Sequence, residues 1–206
     1  MKKKLKETVI DNIKTILFAL LIAILIRSLI FQPFYIPSSS MEPTLLIGDR
    51  IFVSKYTYGY SKHSFPFSPN ITNKRFLYNK PKQGDLVVFK TPADNRTDYI
   101  KRLIGMPGDE IQFVDGEIFI NNKKIKRKKV DKFKEVTCGA NTLEVVTHRE
   151  TLPNGTNYFA SYNKYGTLLD SPKYKVPKDH FFLLGDNRDC SKDSRYLGSV
   201  SYVKSL

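Results

Sequence analysis

Apolar positions are spread along this chain in two unlike ways. From Ile13 to Phe31 they are nearly continuous, centred on ILFALLIAILI at Ile16 to Ile26, whereas after residue 32 they come in short runs broken by turn residues. The first pattern predicts a membrane-spanning helix, because about 19 residues rising about 1.5 Å each cover roughly 29 Å, close to the bilayer's hydrocarbon thickness. Arg27 lies near the far end, where its long stem lets the charge reach the headgroups. The second pattern, RIFVSKY, GDLVVFK, YIKRLIG, DEIQFV, EIFINNKKI and HFFLLGD, predicts strands. Asp115 and Gly116 between two of them predict a tight hairpin, since both central positions of a type I′ turn need positive φ. Met41, Pro43, Thr44, Leu45, Leu46 and Ile47 suggest a partly buried strand start. No long amphipathic helical pattern follows residue 32, so the remainder is expected to be mainly β. Residues 56–83, rich in Tyr, Ser, Asn and Pro, and residues 131–177, with NG, YG and several prolines, read as insertions.

The flanks of the apolar run predict its orientation. Lys2, Lys3, Lys4 and Lys6 precede it, and short basic flanks stay on the cytoplasmic side while long downstream domains translocate. The expected organisation is a cytoplasmic N-terminus at 1–12, a transmembrane anchor at 13–31 and an extracytoplasmic domain at 32–206. A removable secretory signal shares the basic start and apolar middle but needs small residues at its cleavage site. Here the run exits through Phe31, Gln32, Pro33 and Phe34, which favours a retained anchor. Ser40 follows Arg27 so soon that even extended chain, about 45 Å at most, keeps it near the membrane surface.

Charge and cysteine content narrow the partners. A net charge of +14 admits nucleic acid, anionic lipid or an acidic substrate. The densest basic run, KKIKRKK at Lys123 to Lys129, has no interleaved aromatics, so it reads as a solvated hairpin end and no nucleic acid is expected. Cys138 and Cys190 form no CxxC; one disulfide in an oxidising compartment and two free thiols fit equally well. His63, His148 and His180 show no metal-ligand spacing, and neither metal nor other cofactor is expected.

Three polar clusters sit where strands end or begin: PSSSM, DYIKR at Asp98 to Arg102, and GDNRDCSKDSR at Gly185 to Arg195. Each alone reads as turn chemistry or a solvated strand face. Together they offer a nucleophile and a base. A serine hydroxyl needs a neighbouring base, yet no histidine stands in a triad-like cluster and GxSxG is absent. A lysine serves instead if burial disfavours its charged form, and Lys101 is flanked by Tyr99, Ile100, Leu103 and Ile104. SYNK at Ser161 to Lys164 matches SxxK but lacks the SDN and KTG partners of penicillin-binding enzymes and reads as chance.

In order, the N-terminal span, PSSSMEPTL, GDLVVF at Gly84 to Phe89, DYIKRLIGMPGD at Asp98 to Asp109 and GDNRDCSKDSR resemble the bacterial type I signal peptidases over most of the chain. The resemblance implies a β-rich, repressor-type catalytic domain behind a single N-terminal transmembrane helix. It implies a Ser-Lys endopeptidase of the inner membrane, with its catalytic domain on the periplasmic side, cleaving signal peptides from exported preproteins after small residues at −1 and −3. By it, Ser40 is the nucleophile, Lys101 the general base, and the Ser40 N–H with the Ser38 hydroxyl the oxyanion hole. Ser191 orients the lysine amine, Gly185 lets backbone approach the dyad, and Asp193 with Arg195, and Asp186 with Arg102, brace it. Phe34, Ile36, Met41, Leu45, Ile51, Val88, Tyr99 and Ile100 line pockets for small side chains, although alternating strand faces bury such residues anyway. The implied partners are signal peptides and membrane lipid, and a monomer is expected.

Two features depart from that pattern. Position 190 is Cys where the family usually carries Asn, and after Arg195 the chain reads YLGSVSYVKSL without a closing strand that has a Gly-basic-Ala ending, an altered sheet edge. Two other readings remain: an anchored, noncatalytic binding protein that uses its basic outer surface, and a self-cleaving Ser-Lys repressor. The apolar N-terminus argues against the latter, which needs a DNA-reading helical domain.

Overall fold

The computed structural model describes residues 2–65 and 75–201. Helix α1 (Lys2–Leu29) is long and apolar enough to cross a membrane, with a mean hydropathy of 2.3 over its best window and none of that window buried in protein. Apolar side chains surround the helix on every side, as lipid requires and a soluble surface does not. The helix stops at Leu29, and Phe31, expected within the span, opens strand β1 (Phe31–Tyr35). Pro33 explains the early stop, since it lacks an N–H and disfavours helical Gln32 before it. Lys55 N–H donates to the Ile30 carbonyl at 3.0 Å and the Tyr60 hydroxyl to the Leu29 carbonyl at 2.8 Å, tying the helix end to the domain.

The domain is mainly β. β1 pairs with β2 (Arg50–Ser54), and β3 (Leu86–Lys90) and β4 (Asp98–Gly105) follow. Next come β5 (Glu110–Val114), β6 (Glu117–Ile120), β7 (Lys123–Lys124), β8 (Lys126–Cys138), β9 (Asn141–Thr151) and β10 (Asn157–Asn163). The chain closes through β11 (Tyr174–Lys175), β12 (His180–Leu184), the one-turn helix α2 (Ser194–Leu197) and β13 (Val200–Ser201). Besides the β1-β2 pair, the strands form sheets ordered β13-β12-β4-β3, β11-β5-β6-β7 and β10-β9-β8, all neighbours antiparallel. Asp115 and Gly116 turn between β5 and β6 with φ of 50° and 70°, the positive pair a type I′ hairpin needs.

Period-2 alternation places β12 between two cores. Phe182 and Leu184 join Ile104, Ile111, Phe113 and Tyr158 in the larger one, while Phe181 and Leu183 join Val87, Phe89 and Leu103 in the smaller. The larger core also holds a fully buried ion pair, with the Arg188 guanidinium 2.7 Å from the Glu150 carboxylate. The Tyr158 hydroxyl donates to Glu150 at 2.6 Å, and Tyr162 donates to its other oxygen.

Several local expectations are corrected. Ser39–Met41 form a single 3-10 turn followed by further turns, not a strand start; Met41 is buried, but Leu46 and Ile47 are half exposed. Pro43 and Gly48 break any strand there. Residues 131–177, read as an insertion, carry regular structure the sequence did not reveal, for they contain most of β8 together with β9, β10 and β11. Their polar, Thr-rich faces hid the strands, although Gly139 with φ of 63° in the two-residue loop between Cys138 and Asn141 is a hairpin signal. The basic run at Lys123 to Lys129 does begin at a solvated hairpin end, with exposed β7 directly after the turn at Asn121 and Asn122, but it continues into the start of β8. Of residues 56–83, those at 66–74 lie outside the described residues, as do 202–206 of the expected sheet-edge departure.

The Glu150 and Arg188 charges sustain each other in a dry site. Glu150→Gln is expected to destabilise the domain by about 3 kcal/mol or more, read as a lower urea midpoint at unchanged slope, since it strands a buried guanidinium.

Candidate active site

Lys101 lies on β4, the strand between β3 and β12, directly opposite Val87 on β3. Its side chain shares a strand face with Tyr99 and Leu103, and Nζ sits 5.4 Å from the centre of the Tyr99 ring. Only 3% of the residue is exposed. Burial draws its pKa from lysine's ordinary 10.5 to about 8, against the opposing pull of Asp193 and Asp186 and with a smaller push from Arg195. Nζ donates to Ser40 Oγ at 2.8 Å and to the Ile100 carbonyl at 2.9 Å.

Ser40 stands in the Ser39–Met41 turn, and its position is set by the loop after β12. Asn187 N–H donates to the Ser40 carbonyl at 3.1 Å, and the Thr44 hydroxyl bonds Asp186. Asp186 is gripped by Arg102 through bonds of 2.8 and 2.7 Å, and Arg102 reaches back to the Gly84 carbonyl at 2.7 Å. Asp193 accepts from Gly185 N–H at 3.0 Å and from Arg195 Nε at 2.8 Å. At Gly185 a Cβ would lie 2.2 Å from Ser191 Oγ and 2.6 Å from the Ser40 carbonyl oxygen. Only glycine lets these two segments touch.

The sequence-derived residues therefore divide. Ser40, Lys101, Gly185 and the pairs Arg102-Asp186 and Asp193-Arg195 converge on one point, and the Ser38 hydroxyl lies 3.4 Å from Ser40 Oγ. Ser191 packs against Gly185, but its Oγ has no hydrogen-bond partner among the described residues, and no bond to the lysine amine is formed. A groove of about 390 Å3 opens over the pair; Ile36, Met41, Tyr99 and Ile100 line it, whereas Phe34, Leu45, Ile51 and Val88 do not. Thr97, Asp98, Cys190 and Lys192 line it unforeseen. So do other roles: Thr44 and Asn187 hold the turn, Ser39 is buried and bonded, and Cys138 is joined to Cys190 in a disulfide. Those two cysteines being the only ones in the chain was the signal for the last of these.

SYNK is not a site. Ser161 lies within β10 and bonds Thr147, while Lys164 pairs with Glu144 at the surface. No group of acidic, His and Cys side chains able to hold a metal occurs among the described residues. A second buried lysine is a useful contrast: Lys55 is also drawn down to about 8, chiefly by burial, yet its Nζ donates to the Ser64 carbonyl. A low pKa gains chemical meaning only beside a group to deprotonate.

A buried, weakly basic amine against a serine hydroxyl, at the floor of an open groove, is the equipment of a serine hydrolase without histidine. The family model described as "Signal peptidase, peptidase S26" matches residues 9–204. The chain belongs to this family of serine proteases. It is 42% identical over 212 residues to the signal peptidase I of Rickettsia typhi, covering 97% of this chain and 78% of that protein. It is 44% identical over 197 residues to that of Rickettsia rickettsii, covering 90% and 72%. A crystal structure of a signal peptidase I from Enterococcus faecalis covers 62% of this chain and 94% of its own at 25% identity, with a TM-score of 0.37.

Gly185→Ala tests the close approach. The added methyl has to push the Ser191 and Ser40 segments apart, and a displacement near 1 Å is expected to cost about 100-fold in peptidase turnover with little loss of secondary structure by circular dichroism.

Proposed function

We propose that this chain is a membrane-anchored endopeptidase that removes N-terminal signal peptides from exported preproteins, cutting after small residues at −1 and −3. The observation that carries the reading is the 2.8 Å contact between the buried Lys101 amine and Ser40 Oγ, beneath an open groove. Neutral Lys101 takes the Ser40 proton as Oγ attacks the scissile carbonyl. The tetrahedral oxyanion receives the Ser40 N–H and the Ser38 hydroxyl, donors aimed at charge that develops only in the transition state. The resulting ammonium hands its proton to the departing amine. The amine, neutral again, then activates the water that hydrolyses the acyl-serine. Ile36, Met41, Tyr99 and Ile100 leave shallow space that suits short side chains before the cut.

In this reading residues 1–12 face the cytoplasm, the apolar stretch of α1 up to Leu29 anchors the chain, and the β domain from Phe31 onward acts outside the inner membrane as a monomer. The disulfide between Cys138 and Cys190 supports that side, because such bonds persist in oxidising compartments. Half-exposed Phe31 and largely exposed Phe52 at the helix exit fit contact with lipid. A preprotein held by its own apolar segment would then present its cleavage site where Ser40 lies.

Ser40→Ala and Lys101→Ala are each expected to lower cleavage of a preprotein in detergent by about 10⁴-fold with the fold intact; substantial activity in either variant contradicts the dyad. The pH profile is a separate check. The neutral amine is the working form, so kcat/KM should rise about tenfold per pH unit below about 8 and level off above it. A profile flat from pH 6 to 10 contradicts that assignment.

A further inference from the structure

The turn carrying Ser40 is only three residues long, and one of its supports comes from a distant part of the chain. Ser39, between Ser38 and Ser40, is almost fully buried, with its hydroxyl against the tip of the β8-β9 hairpin. Its Oγ donates to the Thr137 carbonyl and lies 3.1 Å from Cys190 Sγ. A disulfide sulfur carries no proton, so the hydroxyl's single proton goes to Thr137. The disulfide binds the neighbouring hairpin residue, Cys138, to Cys190 in the loop that also carries Ser191. A third contact, 3.8 Å between Lys134 of β8 and Glu42, joins the same hairpin to the residue after the turn.

We infer that the disulfide-closed hairpin tip is a clamp for the nucleophile, and that Ser39 is the positioning residue through which it acts. This inference rests on the Ser40-Lys101 reading above. Lys101 meets Ser40 from β4, and Asn187 holds the Ser40 carbonyl from the loop after β12. The clamp supplies a third direction of restraint. Without it the turn still forms, but Oγ is no longer held at attacking distance and angle. Loss of the Ser39 hydroxyl then lowers the rate but not substrate binding, since Ser39 does not line the groove, although Cys190 of the clamp does.

The experiment measures kcat and KM for a soluble signal-sequence peptide with the full chain in detergent. Ser39→Ala should lower kcat about 10-fold at unchanged KM, and Ser39→Thr, which keeps the hydroxyl, should recover most of the loss. The double variant Cys138→Ala with Cys190→Ala should show a similar drop, as should treatment with dithiothreitol. That reagent gives two electrons to the disulfide, leaving two protein thiols and its own cyclic disulfide. Combining Ser39→Ala with the cysteine pair should lower kcat little further, because both remove one clamp. Unchanged kcat in Ser39→Ala, failure of Ser39→Thr to recover it, or two independent losses that multiply would overturn the clamp. Each of these results leaves the dyad standing, whereas an active Lys101→Ala variant would overturn the dyad itself, on which the clamp rests.

Discussion

Keeping one amine out of water is the constraint around which this domain is arranged. Lys101 reaches that state by lying on an interior strand with β3 on one side and β12 on the other, its Nζ beside the Tyr99 ring. Two carboxylates, Asp186 and Asp193, stand close enough to favour the charged amine. Each is already engaged by an arginine, Asp186 by Arg102 and Asp193 by Arg195, so desolvation wins the competition. The arginines also keep those carboxylates from being buried unpaired, which would cost several kcal/mol. The same four side chains therefore build the loop and set the amine's protonation.

The loop after β12 joins the parts. Gly185 admits Ser191 and the Ser40 backbone, Asp186 ties down Arg102 and Thr44, Asn187 holds Ser40, and Arg188 anchors the segment in the larger core through Glu150. The six residues Gly185 to Cys190 thus reach the Ser40 turn, the Lys101 strand, the core and the disulfide. Arginine suits such positions because its planar fork satisfies a carboxylate with two parallel bonds while its face covers an aromatic ring, as Arg102 does over Tyr158 at 4.5 Å.

What could be read in advance follows from how local the signals are. The span, the β5-β6 hairpin and the apolar strands are written in runs of neighbouring residues, whereas Ser40, Lys101 and Gly185 sit in short clusters that read singly as turns or a strand face and point to chemistry only together. The β8-β9-β10 sheet was missed because its strands alternate polar with Thr, Val and charged residues and never form an apolar run. Ser39 carries no signal of its role, because nothing near it in the sequence reveals a partner almost a hundred residues away, at Thr137. Phe34, Leu45, Ile51 and Val88 were hydrophobic in the right neighbourhood, but which side of a strand or turn faces a groove is decided by packing.

The most direct measurement is a titration of the Lys101 amine itself, by heteronuclear NMR of the full chain labelled with 15N at lysine Nζ and assigned by comparison with Lys101→Ala. A midpoint near the value of about 8 that burial imposes is the predicted result. A midpoint at an ordinary lysine's value, about 10.4, would mean that the amine is charged at working pH and cannot be the base.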